Sequence, residues 1–318
     1  MPQAPQTTAE ASPKTGPSAA GLPPVATDAQ TCASVELRVD ESSHATPQVA
    51  LCGVPLGPWE TDGLRLHVLG TGSKGNSCVL ETPQACILID CGLSCRQIFT
   101  RMQALGLDPA RLGAIIITHE HTDHIAGLRV TAAKARVPVF ASHGTATSEP
   151  WPRGVLVEEM RARESLTVCG VRVTPFAVPH DAAEPLGFRF ERAGDAVGYC
   201  TDMGHLTDEA GEYLRDARIL ALESNHDPAM LSAYPGYPYA LKLRIGGDSG
   251  HLSNDQAAGA LSELVTSATQ TLVGMHISQH TNLPSTCRRA LLTGRRSLAP
   301  TQQLRVVVGS QEHPLSFA

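Results

Sequence analysis

Midway along the chain, His119-Glu-His121-Thr-Asp123-His124 places three imidazoles and the Asp123 carboxylate directly after the apolar run Ala114-Ile-Ile-Ile-Thr118. Imidazole nitrogen and carboxylate oxygen are ligands for borderline divalent cations. In a loop at the C-terminal end of a buried strand, His119 and His121 alternate and can turn both rings into one cavity. Asp123 and His124 then open a helix, to about Ala135, and can reach a second ion beside the first. A lone histidine is more often an ordinary core or surface group, but a structural role does not explain this density of ligands. Two ions about 3.5–4 Å apart lower the pKa of a bridging water and neutralise charge on a transferring phosphoryl group. Hydrolysis is therefore the chemistry expected of the cluster, and the narrowing to phosphodiesters comes from His251, Glu223 and the Gly72 to Asn76 turn.

The elements that must position these residues lie in a chain of 318 residues, 42% hydrophobic, enough for a substantial core. Residues 1–62 hold nine prolines, one aromatic (Trp59) and many Ala, Thr and Ser. That composition buries too little apolar surface to offset chain ordering, so a disordered tail is expected there, with the hydrolase domain over 63–318. No methionine separates Met1 from Met102, so a start downstream of residue 1 is an alternative. From Leu64 onward, short β-rich runs fall at 65–70, 78–81, 86–90, 114–118, 137–141, 167–176, 186–191, 197–201, 219–223, 272–276 and 304–308. Ser94-x-x-Gln97 and Ser253-x-x-Gln256 read as capping boxes, and Pro284 before a basic, apolar run reads as a third helix start. The strands come first as antiparallel-looking pairs and then alternate with helices. Two mixed sheets with helices outside satisfy both patterns, an α/β (α+β) class with four αββα layers.

The motif H-x-H-x-D-H after a hydrophobic strand resembles the signature of the metallo-β-lactamase superfamily, and the other expected elements follow in order over roughly residues 64–318. By that resemblance Asp90, closing Cys86-Ile-Leu-Ile-Asp90, is a carboxylate that orients a ligand from behind. His180 resembles the third ligand of one ion, Asp202 the carboxylate bridging both, and His276 the last ligand of the other. The implied set is His119, His121, His180 and Asp202 on one ion, with Asp123, His124, Asp202 and His276 on its neighbour. Both ions would be divalent, zinc or manganese.

Finer motifs resemble the bacterial YycJ/WalJ family of phosphodiesterases: Gly72-Ser73-Lys74-Gly75-Asn76-Ser77, His180-Asp-Ala-Ala-Glu-Pro185, Thr201-Asp-Met-Gly-His205, Leu222-Glu-Ser-Asn-His-Asp227 and Gly250-His-Leu-Ser-Asn254. The resemblance implies exonuclease action from the 5′ end of double-stranded DNA. Glu223 and His251 also resemble the Glu and His pair of ribonuclease Z enzymes, which makes His251 the general acid and Glu223 its orienting partner. Asp123 counts both as ligand and as a catalytic carboxylate. The Gly-rich turn offers backbone N–H groups, Ser73 and Asn76 to a phosphate, while Asn225 and His226, just beyond a buried strand, could contact phosphate or base. His205 would support the site from behind. The segment His276-Ile-Ser-Gln-His280-Thr-Asn282 departs from the family, which usually carries a basic and an acidic residue there. Pro228 to Arg244, with Tyr234, Tyr237 and Tyr239 near Lys242 and Arg244, is the stretch best suited to face DNA.

The formal charge of −6 does not decide the substrate, because from residue 63 onward 23 basic residues face 24 acidic ones before any cation is added. Nine cysteines, mostly in apolar runs, predict buried thiols and a reducing, cytoplasmic location. No run of eighteen apolar residues predicts a membrane span, and no obligate protein partner is evident. Two readings compete with the nuclease. One is a small-molecule phosphodiesterase or a thioester or lactone hydrolase of the same fold, which would need no His and Glu acid pair. The other is a non-enzymatic metal protein, which would normally have lost ligands.

Overall fold

The computed structural model describes residues 49–50, 56–59, 62–148, 151, 154–298 and 303–318. The tail expected over 1–62 lies outside the described residues except at 49–50, 56–59 and 62. The first sheet takes β1 (Val49–Ala50), β2 (Arg65–Gly70), β3 (Ser77–Glu81), β4 (Cys86–Ile89), β5 (Leu112–Ile116), β6 (Val139–Ser142) and β7 (Val157–Met160). The second takes β8 (Leu166–Val168), β9 (Val171–Ala177), β10 (Leu186–Arg192), β11 (Asp195–Cys200), β12 (Ile219–Glu223), β13 (Thr271–Met275) and β14 (Arg305–Val308). The last strand, β15 (Leu315–Phe317), returns to the first sheet, whose order is β1-β15-β2-β3-β4-β5-β6-β7; the second runs β14-β13-β12-β11-β10-β9-β8.

Both sheets are mixed, as the pattern predicts. In the first, β2, β3 and β4 pair antiparallel and β4 to β7 pair parallel; in the second, β8 to β11 are antiparallel and β11 to β14 parallel. The central parallel strands β4, β12 and β13 are buried along their whole length. Strands covered on both faces read as continuous apolar runs rather than alternating ones. Between the sheets pack Leu66, Ile87, Ile116, Phe188, Phe190 and Val273, each fully or almost fully buried. Side chains of this size contribute about 1.5–3 kcal/mol each when withdrawn from water.

Helices cover the outer faces: α1 (Cys95–Ala104), α2 (Thr122–Ile125), α3 (Leu128–Ala135) and α4 (His143–Ser148) follow strands of the first sheet. α5 (Asp208–Leu214), α6 (Pro228–Ala233), α7 (Tyr239–Ile245), α8 (Asn254–Leu264) and α9 (Pro284–Arg295) follow strands of the second. Ser94 and Ser253 close reciprocal capping boxes with Gln97 and Gln256, and Pro284 begins α9. Among the described residues no helix is long and apolar enough to cross a membrane.

The structure corrects the sequence reading locally. The helix expected from Asp123 to about Ala135 is two, broken by a turn at Ala126 and Gly127, where the chain runs so close to the loop after β4 that a Cβ at Gly127 would meet Leu93 O at 1.9 Å. The strand expected at 167–176 is the hairpin β8–β9, turned by Cys169 and Gly170, both at positive φ. Strands β1, β7 and β15 are two to four residues long, too short to show a period, and all three escaped the reading.

Candidate metal centre

The chain delivers its candidate ligands at one end of the two sheets. Asp90 follows β4, the motif loop follows β5, Asp202 follows β11, Glu223 ends β12 and His276 follows β13. His180 lies just past β9, which runs in the same direction as β11 because both pair antiparallel with β10. Asp90, Asp202 and His276 all take left-handed backbone conformations, with φ of 58°, 56° and 55°. Non-glycine residues seldom do so, and the turn points each side chain back across its strand end.

All seven predicted ligands meet there. Potential donor atoms of His119, His121 and His180 lie within 4.8 Å of one another, as do those of His119, His124 and Asp202, and those of Asp123, His124 and His276. Each buried ring has its outer nitrogen bound by protein, leaving the inner one for the cluster. Asp90 Oδ2 accepts from His124 Nδ1 at 2.8 Å, Gly250 O from His180 Nδ1 at 2.9 Å, and Glu223 Oε1 from His276 Nδ1 at 2.9 Å; Thr118 Oγ1 lies 3.0 Å from His119 Nδ1. Such outer partners fix tautomer and ring orientation in metal sites.

Whether these residues fit a cation is decided by what remains unsatisfied. His119 Nε2 is buried with no hydrogen-bond partner, and Asp202 Oδ2 makes no aligned hydrogen bond, only an ion pair with His124, although buried polar atoms are almost always bonded. Inner nitrogens crowd together: His180 Nε2 lies 3.2 Å from His121 Nδ1, and His124 Nε2 lies 3.1 Å from Asp202 Oδ2. Burial drives His119 well below the usual imidazole range, which keeps it neutral. His276 behaves oppositely: although burial opposes its charge, Asp202, Asp123 and Glu223 push it up to about 10, and Asp202 and Asp90 likewise hold His124 far above 6.5. The site attracts positive charge, and divalent cations supply that charge while capping the free lone pairs. The donor set therefore fits divalent metal.

Glu223 is the hub of the acid side. It is fully buried; Oε1 accepts from His251 Nδ1 at 2.8 Å and from His276 Nδ1, while Oε2 accepts from the backbone N–H groups of Met203 and Leu252 at 2.9 and 3.0 Å. Burial alone would raise this carboxyl, but His251 and His276 hold it at about 2. The sequence reading foresaw the bond to His251 but not the one to His276. His251 keeps its side chain one-fifth exposed, with its ring centre 5.1 Å from those of both His180 and His276.

Several expected phosphate contacts are placed otherwise. Asn76 is fully buried; its Oδ1 accepts from Thr71 Oγ1 and Gly72 N, and its Nδ2 faces Asp123 Oδ2 and His124 Nε2 at 3.2 and 3.1 Å. With both ends engaged, Asn76 braces the Gly-rich turn against the ligands. Asn225 donates from Nδ2 to His276 O at 2.9 Å, fixing the ligand's backbone. His226 is buried under α6 and α7 with Nδ1 unpartnered, and burial pushes it down to about 4, which leaves it neutral. Ser73 alone of the four is exposed on the turn. His205 points outward, bound to Asp248 O. Two residues the sequence reading overlooked adjoin the cluster: Thr118, which bridges Asp90 to the rings, and Asp181, which lies 3.5 Å from His180 Nε2 and pairs with Arg244. Where the family usually carries charges, Ser278, Thr281 and Asn282 are buried, and Asn282 Nδ2 donates to Ser224 O and Asn225 O.

Comparison with known proteins agrees with this geometry. The domain family described as the Beta-lactamase superfamily domain matches residues 86–277. Exodeoxyribonuclease YycJ of Bacillus anthracis is 32% identical over 233 residues, covering 72% of this chain and 88% of that protein. Exodeoxyribonuclease WalJ of Streptococcus pneumoniae is 32% identical over 227 residues, covering 70% of this chain and 84% of its own. Among solved structures, the metallo-β-lactamase fold protein YhfI from Bacillus subtilis covers 80% of this chain and 99% of its own at a TM-score of 0.61, with 16% identity, a likeness of fold. With two sheets gathering seven candidate ligands and these relatives at hand, the chain belongs to the metallo-β-lactamase superfamily, in the family of YycJ and WalJ, and is a metal-dependent hydrolase.

Proposed function

We propose that the protein is a dinuclear phosphodiesterase acting on DNA, an exonuclease of 5′ to 3′ polarity on duplex ends. The observation that carries the reading is the shared carboxylate of Glu223, which holds a ligand, His276, and a partly exposed imidazole, His251, side by side. A thioester or lactone hydrolase has no need of that second histidine. The names of the YycJ and WalJ relatives support the step from diester to DNA.

His119, His121, His180 and Asp202 would hold one divalent ion and Asp123, His124, Asp202 and His276 the other, zinc or manganese. When bound, such a pair lowers the pKa of water and neutralises charge on the phosphoryl oxygens. The remaining work falls to the chain. Asp123, whose side chain is 26% exposed against 3% for Asp202, is the cluster carboxylate open to the cleft and takes the proton of the attacking water. His251, with Nδ1 fixed by Glu223, gives a proton from Nε2 to the leaving oxygen as its bond to phosphorus breaks. Ser73 supplies a hydroxyl to a non-bridging oxygen. The free thiols, mostly buried, fit a reducing, cytoplasmic setting. The boundary expected near residue 63 moves upstream, because β1 pairs with β15 in the first sheet and so belongs to the catalytic unit.

The test uses metal-loaded protein with end-labelled single- and double-stranded DNA, RNA, a cyclic dinucleotide, a chromogenic phosphodiester and a thioester. Ordered loss of nucleotides from duplex 5′ ends is expected, and His251→Ala should lower turnover by roughly 10²- to 10⁴-fold with metal content unchanged. Thioester cleavage without diester cleavage would overturn the reading.

A further inference from the structure

From Glu263 to Glu312 the sequence contains no acidic residue, yet this stretch carries Arg288, Arg289, Arg295, Arg296 and Arg305 in a chain whose net charge is −6. The structure gathers three of them around one groove. Between α9 and β14 lies a cavity of about 600 Å³ lined by Pro284, Arg288, Leu292, Arg295, Arg305 and Val308. Residues 288, 292 and 295 follow helical spacing and form one stripe of α9, while Arg305 comes from the edge strand of the second sheet. Among the described residues none of the five guanidinium groups has an acidic partner. Arg295 and Arg296 would suit the C-terminal end of a helix in any protein, but Arg288 and Arg289 lie in its first half, where the helix dipole does not favour cations.

The groove also has a direction. Pro284 lies two residues beyond Asn282, whose amide secures the loop after Glu223, and Val308 leads into Ser310, whose carbonyl binds the N–H of Thr71. Thr71 in turn accepts from the N–H of His276 at 2.8 Å. One end of the groove therefore adjoins the ligand cluster, and the other, at Arg295, lies a helix length away, about 18 Å at 1.5 Å per residue. That spans roughly five steps of a DNA strand at 3.4 Å each.

We propose that the α9–β14 groove is a track for the phosphate backbone of duplex DNA leading away from the scissile end. The proposal rests on the nuclease reading for its choice of DNA, and it names where the uncleaved part of the substrate lies. Guanidinium groups at helical spacing bind phosphate oxygens in bidentate fashion, and apolar Leu292 and Val308 between them cover the sugar edge.

The experiment compares metal-loaded wild type with the triple variant R288A/R295A/R305A, and with R288K/R295K/R305K, which keeps the charge. These side chains are exposed or half-buried, and an unchanged melting curve certifies the fold. Binding is read with a phosphorothioate duplex of about 30 base pairs across a salt series, and catalysis with a chromogenic diester too small to reach the groove. The alanine variant should bind the duplex at least roughly tenfold more weakly, with the salt slope reduced by about 2 to 3, while small-diester turnover stays within about twofold. The lysine variant should recover most of the slope. Equal duplex binding by wild type and the alanine variant would overturn the groove and leave the nuclease reading standing. That is also the result expected if a peptide strand, rather than DNA, occupies the β14 edge. An RNA duplex bound as tightly as DNA would overturn the choice of DNA. Wild type that binds duplex through these arginines but cleaves no diester would overturn the nuclease reading and leave the groove intact.

Discussion

Two buried clusters of histidine and carboxylate sit in this protein, and they are solved in opposite ways. In the first sheet, His67 Nε2 donates to Glu81 Oε2 at 3.1 Å, its Nδ1 lies 2.7 Å from the Ser316 hydroxyl, and Arg111 pairs with Glu81 Oε1 at 2.7 Å. Every atom there has a partner and the guanidinium balances the carboxylate. At the strand ends, by contrast, seven candidate ligands leave His119 Nε2 unpartnered, give Asp202 Oδ2 only an ion pair with His124, and concentrate carboxylates without an arginine or lysine among them. A closed cluster needs nothing further. An open one, buried and electronegative, suits divalent cations, since buried polar groups without partners are otherwise costly.

The sharpest way to break the contrast is Asp202→Ala. It should release metal, read by elemental analysis, and lower turnover by more than the roughly 10- to 100-fold expected for an outer partner. An unchanged melting curve certifies that the fold survives the change. Unchanged metal content would sink the ligand assignment. Glu223→Gln comes next. Because one carboxylate serves His251 and His276 together, metal affinity and turnover should both fall by about 10- to 100-fold, whereas His251→Ala affects turnover alone. A Glu223→Gln variant that loses turnover at full metal affinity would show that the bond to His276 is incidental.

The smallest effect belongs to the closed cluster. Glu81→Gln should leave catalysis within about twofold and cost on the order of 1–3 kcal/mol in urea unfolding. Its pH dependence has a definite sign. Burial lowers His67 below 6.5 in the folded state, so the unfolded chain takes up this proton first; the His67 contribution is complete above pH 6.5 and is lost on acidification through the lowered value. Glu81, held below 4.5 by His67 and Arg111 in spite of burial, adds stability above pH 4.5 that disappears as pH falls through its own lowered value. Wild type should therefore lose stability in two stages, with the lower one absent from Glu81→Gln. A stability that rises as pH falls from 7 to 5 would contradict the closed cluster.

The clustering of the candidate ligands was legible because they are dense or stand at the ends of apolar runs, where a parallel strand must stop. Ser94, Ser253 and Pro284 were legible because cap chemistry is local. The roles of Asn76, Asn225 and His226 were not, because a polar residue beside a motif looks the same whether it faces a substrate or braces a ligand. Only the partners of Asn76 at Thr71 and Asp123, far apart in sequence, distinguish the two. Glu223 as a double hub was hidden for the same reason: His251 and His276 converge on it from separate strand connections. The arginines of α9 were visible as a basic run, but their meeting with Arg305 depends on β14 returning beside the helix. Strands β1 and β15 owe their existence to pairing with each other and with β2, not to any pattern of their own.

The left-handed turns at Asp90, Asp202 and His276 bear on the lifetime of the protein as well as its chemistry. Each such backbone costs on the order of 1–2 kcal/mol for a residue with a Cβ, and glycine would relieve it only by removing the side chain that the site requires. The folded chain thus carries a tension at the strand ends that a bound ion would offset. Starved of metal, the protein should be cleared faster by proteases, because degradation follows the population of opened molecules. Abundance, and not activity alone, would then track the supply of the ion.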